Sequence, residues 1–207
     1  GNDFVRKYHY SGKVVPNSTL HFGCFYHDRL HGVLSYGPSI NKKGTINLVK
    51  NTGWNEFIEL NRMAFDDYLP KNSESRCIAI TIKLIRKNAP HVKWIVSFAD
   101  GTQCGDGTIY RAAGFKLVGI AKNTAIRKNP HTGELMHTIQ AHHKKIQQQF
   151  KNWEPVKGYQ LKYIYLIDKK CELNVPELPY SYIDEVGAGM YKGKKVTLKE
   201  RKQNTRR

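Results

Sequence analysis

The sequence predicts a mixed α/β domain, and three observations lead there. Ser75 to Lys87 carries Ile78, Ile82 and Ile85 at helical spacing, between the strand-like runs Phe57 to Phe65 and Val92 to Phe98. Strand, helix and strand over roughly 40 residues make one βαβ-like unit. Ahead of it lies a hairpin pattern. Behind it, a short helix from Thr108 to Ala113 closes on Gly114 and leads into another strand, Phe115 to Ile120.

Each element follows from local chemistry. Asn2 to Asn17 mixes Phe4, Arg6, Lys7, Tyr8, His9 and Tyr10, an aromatic-basic arm. Leu20 to Tyr36 reads as two strands, LHFGCFY and LHGVLSY, around a turn at His27-Asp28-Arg29. Pro38, Asn41 and Gly44 mark a looser loop. After Phe65 the loop DDYLPKNSE runs into the helix. Ser73 or Ser75 is its expected N-cap; Lys83, Arg86 and Lys87 suit its C-terminal dipole, and Asn88-Ala89-Pro90 stops it. VKWIVSF is an apolar strand of the kind buried in a sheet, with Lys93 and Ser97 its polar residues.

Beyond Lys122 the composition shifts. Ile126 to Gly133 is loop-like. Leu135 to Phe150 places Leu135, Ile139, Ile146 and Phe150 on one helical stripe, and Gln160 to Asp168 is a further strand. Residues 1–190 are therefore expected to form the domain, with an extension from about 123. Residues 191–207 are expected to be a mobile basic tail: from Lys192 onward, eight basic side chains face one acid.

Composition narrows the function classes. A chain of 207 residues with 40% apolar and 25% charged content can bury a core without staples. No stretch approaches the ~18 apolar residues of a membrane span, and no signal-peptide pattern opens the chain. A cytoplasmic protein with no membrane partner is expected. Cys24, Cys77, Cys104 and Cys171 are scattered, which fits reduced thiols rather than a zinc ribbon or a disulfide scaffold. Lys and Arg number 34 against 17 Asp and Glu, giving +17. Such a field draws polyanions, and 12 Tyr, 8 Phe and 3 Trp in the same chain point to nucleic acid. A solvated basic surface is the alternative, and charge alone does not separate DNA from RNA or acidic lipid.

The segment Tyr110-Arg111-Ala112-Ala113-Gly114-Phe115, in this element order, resembles the GNAT acetyltransferase fold, where Tyr-x-x-x-Gly-Phe closes the second core helix. A wider string is similar to the Mom family of phage DNA-modification proteins. It comprises His9-Tyr10-Ser11-Gly12, Glu59-Leu60-Asn61-Arg62, Pro70-Lys71-Asn72-Ser73-Glu74-Ser75-Arg76, Ser97-Phe98-Ala99-Asp100 and Gly107-Thr108-Ile109-Tyr110. Lys162 to Asp168 and Pro176 to Tyr180 extend the resemblance toward the C-terminus. It implies transfer of a carbamoylmethyl group to the exocyclic amine of adenine in DNA, which blocks restriction.

The resemblance also implies site residues, each with a plainer alternative role. His9 is a general base or a phosphate-contacting surface histidine. Arg62 clamps a carboxylate or phosphate, or makes an ordinary ion pair. Ser75 donates to an oxygen of the donor, caps the helix, or both. Asp100, at a strand end, orients a base or caps its loop. Tyr110 sits where acetyltransferases keep a general-acid tyrosine; packing is the alternative. Lys71, Asn72, Ser73, Ser75 and Arg76 form a donor loop suited to an anion at a helix start. That loop has no glycine, so side chains stand where coenzyme A needs bare backbone. The donor is unknown: acetyl-coenzyme A and an aminoacyl (glycyl) group, even one carried on tRNA, are both open.

Tyr8, Tyr10 and Tyr36 are candidates to stack on a flipped base. Lys144, Lys145, Lys192, Lys194 and Lys195 are candidates for the DNA backbone. His137, His142 and His143 are poorly spaced for a metal on a helix, so no metal is expected. His27 and His31 flank a turn and could meet across it. Double-stranded DNA is the expected partner. The alternatives are an acyl- or aminoacyltransferase acting on a protein or tRNA amine, and a non-catalytic DNA-binding protein on the same scaffold.

Overall fold

The computed structural model describes residues 1–9, 11–101, 105–191, 194–196 and 200. In chain order the elements begin with α1 (Asn2–Tyr8), β1 (Leu20–Tyr26), β2 (Arg29–Gly37), α2 (Lys42–Ile46) and β3 (Phe57–Phe65). Then come α3 (Ser73–Asn88), β4 (Trp94–Asp100), α4 (Thr108–Ala112) and β5 (Lys116–Asn123). The remainder is β6 (Ile126–Lys128), β7 (Leu135–His137), α5 (Thr138–His143), α6 (Gln147–Lys151), β8 (Glu154–Pro155), β9 (Gly158–Leu166), α7 (Tyr182–Glu185), β10 (Met190–Tyr191) and β11 (Lys194–Lys195). Two compact units divide them. The first is Gly1–Phe98, Gly107–Gly119 and Lys162–Pro179; the second is Ala99–Asp106, Ile120–Leu161 and Tyr180–Arg207.

The six-stranded sheet runs in the order β1-β2-β3-β4-β9-β5. β1 and β2 pair antiparallel around His27 and Asp28, both at positive φ (47° and 59°). That is the two-residue turn matching strand twist, built here without the usual glycine. β2 pairs antiparallel with β3, and the register slips so that Ser35 faces Arg62 while Tyr36 faces Leu60. Asn61 is the extra residue of this bulge. β3 pairs in parallel with β4 from Phe57/Trp94 to Leu60/Ser97, where the Ser97 hydroxyl donates to the Leu60 carbonyl at 3.0 Å. β3 runs five residues further, so bulge and parting of the strands coincide.

The core explains the pairing. Phe57 stacks on Trp94 (4.4 Å, 5° between planes), and Leu48, Val49, Val96, Val118 and Ile164 close around them. α3 buries Ile78, Ile82 and Ile85 on one face, each worth about 1.5–3 kcal/mol. α1 is held by Val5, packed with Val33 and Ala64.

The second unit has its own small core of Met136, Ala141, Phe150 and Trp153. β6 lies between β7 and β8. Arg127 Nη1 donates to the carbonyls of Lys151 (2.8 Å) and Trp153 (3.1 Å), with its guanidinium 5.8 Å from the Phe150 ring. One arginine thus joins a strand to the C-terminal end of α6 and the residues just after it.

Several expectations need correction. The N-terminal arm contains a helix, α1, because Val5 finds a buried partner surface. The loop after Pro38 contains α2, capped by the Asn41 side chain, which accepts from the Gly44 N–H at 3.1 Å. Leu135 to Phe150 is not one helix. Leu135–His137 pairs with Ile126–Lys128, and Lys145 takes φ 55°, which separates α5 from α6. Sheet pairing has overridden a valid helical stripe. At the start of the expected tail, Met190–Tyr191 pairs with Lys194–Lys195. Lys192 and most residues after Val196 lie outside the described residues.

Candidate active site

The first unit gathers most of the expected residues on β2, β3, α3, α4 and the end of α1. α1 stops at His9, whose N–H donates to the Val5 carbonyl (2.9 Å) and whose backbone is extended. The Gly12 N–H donates back to the His9 carbonyl at 2.8 Å, with Gly12 at φ 61°. This turn brings Ser11 under the imidazole. The Ser11 N–H donates to His9 Nδ1 at 3.1 Å, and the Ser11 Oγ lies 2.7 Å from the same nitrogen. Burial first, and the Arg62 charge second, push the His9 pKa down from 6.5 to about 4. The ring is neutral at physiological pH.

Arg62, the residue after the bulge, is tied to carbonyls rather than to a carboxylate. Its Nε donates to Lys13 O at 3.0 Å and its Nη1 to Asn61 O at 2.7 Å. These bonds aim the guanidinium without neutralising it, and a guanidinium has five N–H donors in all. Tyr110 stands on α4 against Tyr163 (5.5 Å) and Phe115 (5.6 Å). Gly107 starts that helix at φ 77°, where a Cβ would come within 2.5 Å of the Tyr163 ring. Only glycine fits there.

Tyr36 is a correction. It is fully buried (0% exposed), so it offers no ring face to a flipped base. Its hydroxyl donates to Thr81 Oγ1 at 2.6 Å, and Thr81 in turn donates to the Ile78 carbonyl. Burial raises its pKa well above that of an ordinary phenol, against the Thr81 hydrogen bond, and the Tyr110 and Cys77 charges add to the rise.

At the start of α3 the N-cap is Asn72, at φ 70°, and not Ser73 or Ser75. Both serine hydroxyls donate to carbonyls, Ser73 to Pro70 (2.6 Å) and Ser75 to Asn72 (3.1 Å). Their protons are spent on the loop itself. Lys71, Asn72 and Arg76 are exposed. Asp100 belongs to the second unit, where its charge raises the His137 pKa against the larger effect of burial, which lowers it. Tyr8 is 39% exposed, with Lys7 Nζ 4.8 Å from its ring centre. Lys144 and Lys145 are exposed, and Lys144 Nζ lies 3.5 Å from Glu134. Lys194 and Lys195 form β11. Tyr10, like Lys192, lies outside the described residues.

The sequence reading missed Ser11, signalled only by a hydroxyl two residues after His9. It also missed the Cys24–Cys77 pair, whose sulfurs are 3.3 Å apart although 53 positions separate them. Burial, then the bond to Cys24 and nearby negative charge, push the Cys77 thiol up to about 12. His31 does not meet His27; its Nδ1 pairs with Asp66 Oδ2 at 2.9 Å.

Strand order and the helices between the strands define an α/β protein. The chain belongs to the Mom protein family, whose profile matches residues 1–182. It is 39% identical over 136 residues to the methylcarbamoylase mom of Escherichia phage Mu, covering 65% of this chain and 55% of that protein. The chain thus spans little more than half of that relative. Solved structures with a similar fold are N-acetyltransferases of low identity. One from Staphylococcus aureus Mu50 has a TM-score of 0.44 at 11% identity, over 72% of this chain and 67% of that one. The Bacillus subtilis acetyltransferase in complex with CoA gives 0.42 at 10%, over 70% and 75%.

Proposed function

We propose that this protein is a transferase that converts adenine in duplex DNA to N6-carbamoylmethyladenine and so protects phage DNA from host restriction. Family membership and the name of the phage Mu relative support the reaction class. The observation that carries the reading is Arg62. It is a full positive charge held in place by two backbone carbonyls, beside a histidine that its field helps to keep neutral. An arginine used only for surface solubility has no need of that tether. A tethered one can hold a carboxylate, phosphate or carbonyl oxygen of the reacting group.

In this reading the donor's anionic part lies along Lys71 to Arg76, and Tyr110 serves as general acid toward the group that leaves. A loop without glycine, with Asn72 left-handed and both serine hydroxyls turned to carbonyls, disfavours acetyl-coenzyme A in its usual pose and leaves an aminoacyl (glycyl) donor open. The target amine is engaged in the duplex, so the base leaves the stack, and Tyr8 is the exposed ring available to receive it. Lys144, Lys145, Lys194 and Lys195 would track phosphates.

The test is DNA from bacteria expressing the protein, digested to nucleosides and analysed by mass spectrometry. Wild type should yield a modified deoxyadenosine, and Tyr110→Phe and Asp100→Ala should not, while remaining folded. Unmodified DNA in cells holding folded wild-type protein and an intact donor supply would overturn the reading.

A further inference from the structure

The turn after α1 fixes more than the place of His9. A backbone N–H only donates, so the Ser11 N–H at 3.1 Å requires a bare lone pair on His9 Nδ1. The Ser11 Oγ, 2.7 Å from Nδ1, also accepts the Lys13 N–H at 3.3 Å. The three bonds are satisfied together only when the serine proton points at Nδ1. The ring proton of a neutral His9 then sits on Nε2.

We propose that Ser11 is a positioning residue that holds His9 as its Nε2–H tautomer, so that His9 serves the transfer as a hydrogen-bond donor to an oxygen of the reacting group and not as its general base. The assignment rests on the reading of this site as a transferase site. As a base, His9 would have to take a proton at Nδ1, where Ser11 already occupies the lone pair, or at Nε2, which carries one. As a donor it stands beside the tethered Arg62, and two donors can converge on one oxygen where negative charge develops. Burial and the neighbouring guanidinium disfavour the imidazolium, which agrees with a neutral donor. The sequence His9-x-Ser11-Gly12 is what the device needs: the ring, its two donors, and a residue that accepts positive φ so the turn can close.

Two measurements on the full chain test this. The first is a long-range nitrogen–proton NMR spectrum of the histidine rings, with His9 assigned by its loss in His9→Ala. The expected wild-type spectrum shows Nδ1 bare and Nε2 protonated. Ser11→Ala, which keeps the N–H but loses the hydroxyl, should leave the Nε2–H form dominant and let a minor Nδ1–H fraction appear, and Ser11→Thr should remove that fraction. The second is the yield of modified deoxyadenosine. His9→Ala should lose about 10²-fold or more, the cost of one such donor, whereas His9→Gln, a donor that is not a base, should keep about tenfold more product than His9→Ala. A wild-type spectrum with Nδ1 protonated, or a Ser11→Ala spectrum unchanged from wild type, overturns the role of Ser11. Equal loss in His9→Gln and His9→Ala overturns the donor role. If wild type makes no product, the transferase reading fails, while the ring spectrum still decides the tautomer.

Discussion

In the first unit of the chain nineteen Lys and Arg stand against ten Asp and Glu; in the second, fifteen stand against seven. The balance is similar, but the charges are used differently. In the first unit some are paired, Lys50 with Glu172, Lys93 with Glu56 and Lys116 with Glu177, all within 2.9 Å, while others such as Lys71, Arg76, Lys83 and Arg86 are exposed. Arg62 is fixed too, though by carbonyls. In the second unit Arg127 is spent on holding a small core together, while Lys122, Lys128, Lys145, Lys151 and Lys157 all reach solvent. In that unit Lys144 pairs with Glu134 at 3.5 Å. Net charge therefore says little until each charge is placed: in the first unit Arg62 is held by carbonyls and Lys50, Lys93 and Lys116 by carboxylates, whereas in the second several lysines reach solvent.

The largest expected effect sharpens that contrast. Arg62→Ala should lower the yield of modified deoxyadenosine by about 10²-fold or more, the usual cost of removing one preorganised donor. It should also raise the His9 pKa, because the guanidinium is one of the two causes holding it down; ring chemical shifts followed against pH would show this. Next in size is Gly107→Ala. Positive φ and the 2.5 Å approach to Tyr163 should together cost about 1–3 kcal/mol or more, read as a lower unfolding midpoint in urea.

A third effect concerns pH. The folded His9 pKa lies below its unfolded value, so the unfolded chain binds more protons between about 6.5 and about 4. Its contribution is intact above that window and lost as pH falls through it. The drop in wild-type stability across the window should be shallower in His9→Gln. The smallest effect is at Cys77, whose raised pKa should make it slow to react with iodoacetamide at neutral pH, as peptide mapping would show.

Most of the fold was legible because its elements announce themselves locally. Ile78, Ile82 and Ile85 mark α3, Gly114 ends the α4 segment, and VKWIVSF could only be buried. Failures arose where partners distant in sequence decide. Leu135–His137 became a strand because Ile126–Lys128 was there to pair with it. Tyr36 looked like a stacking residue until the isoleucine-rich helix covered it and Thr81 took its hydroxyl. In the site, Arg62 was readable as a residue type, but its tether to Lys13 and Asn61 depends on the bulge and on the N-terminal segment folding back. Ser11 lies in the string His9-Tyr10-Ser11-Gly12, but its contact with His9 Nδ1 depends on the turn that follows α1, which the sequence does not announce.

The proposed function thus gives Arg62 to the chemistry and Lys144 and Lys145 to DNA affinity. The direct test measures both on the same variants: duplex-DNA affinity across a salt series, and modified deoxyadenosine by mass spectrometry. Arg62→Ala should lose the product while keeping the affinity and salt slope of wild type. The double variant Lys144→Ala/Lys145→Ala should bind more weakly, with a salt slope shallower by about 1 for each phosphate no longer neutralised, and should still form product when DNA is abundant at low salt. Arg62→Ala weakening DNA binding as much as the lysine variant does, or the lysine variant losing all product under those conditions, would contradict that division.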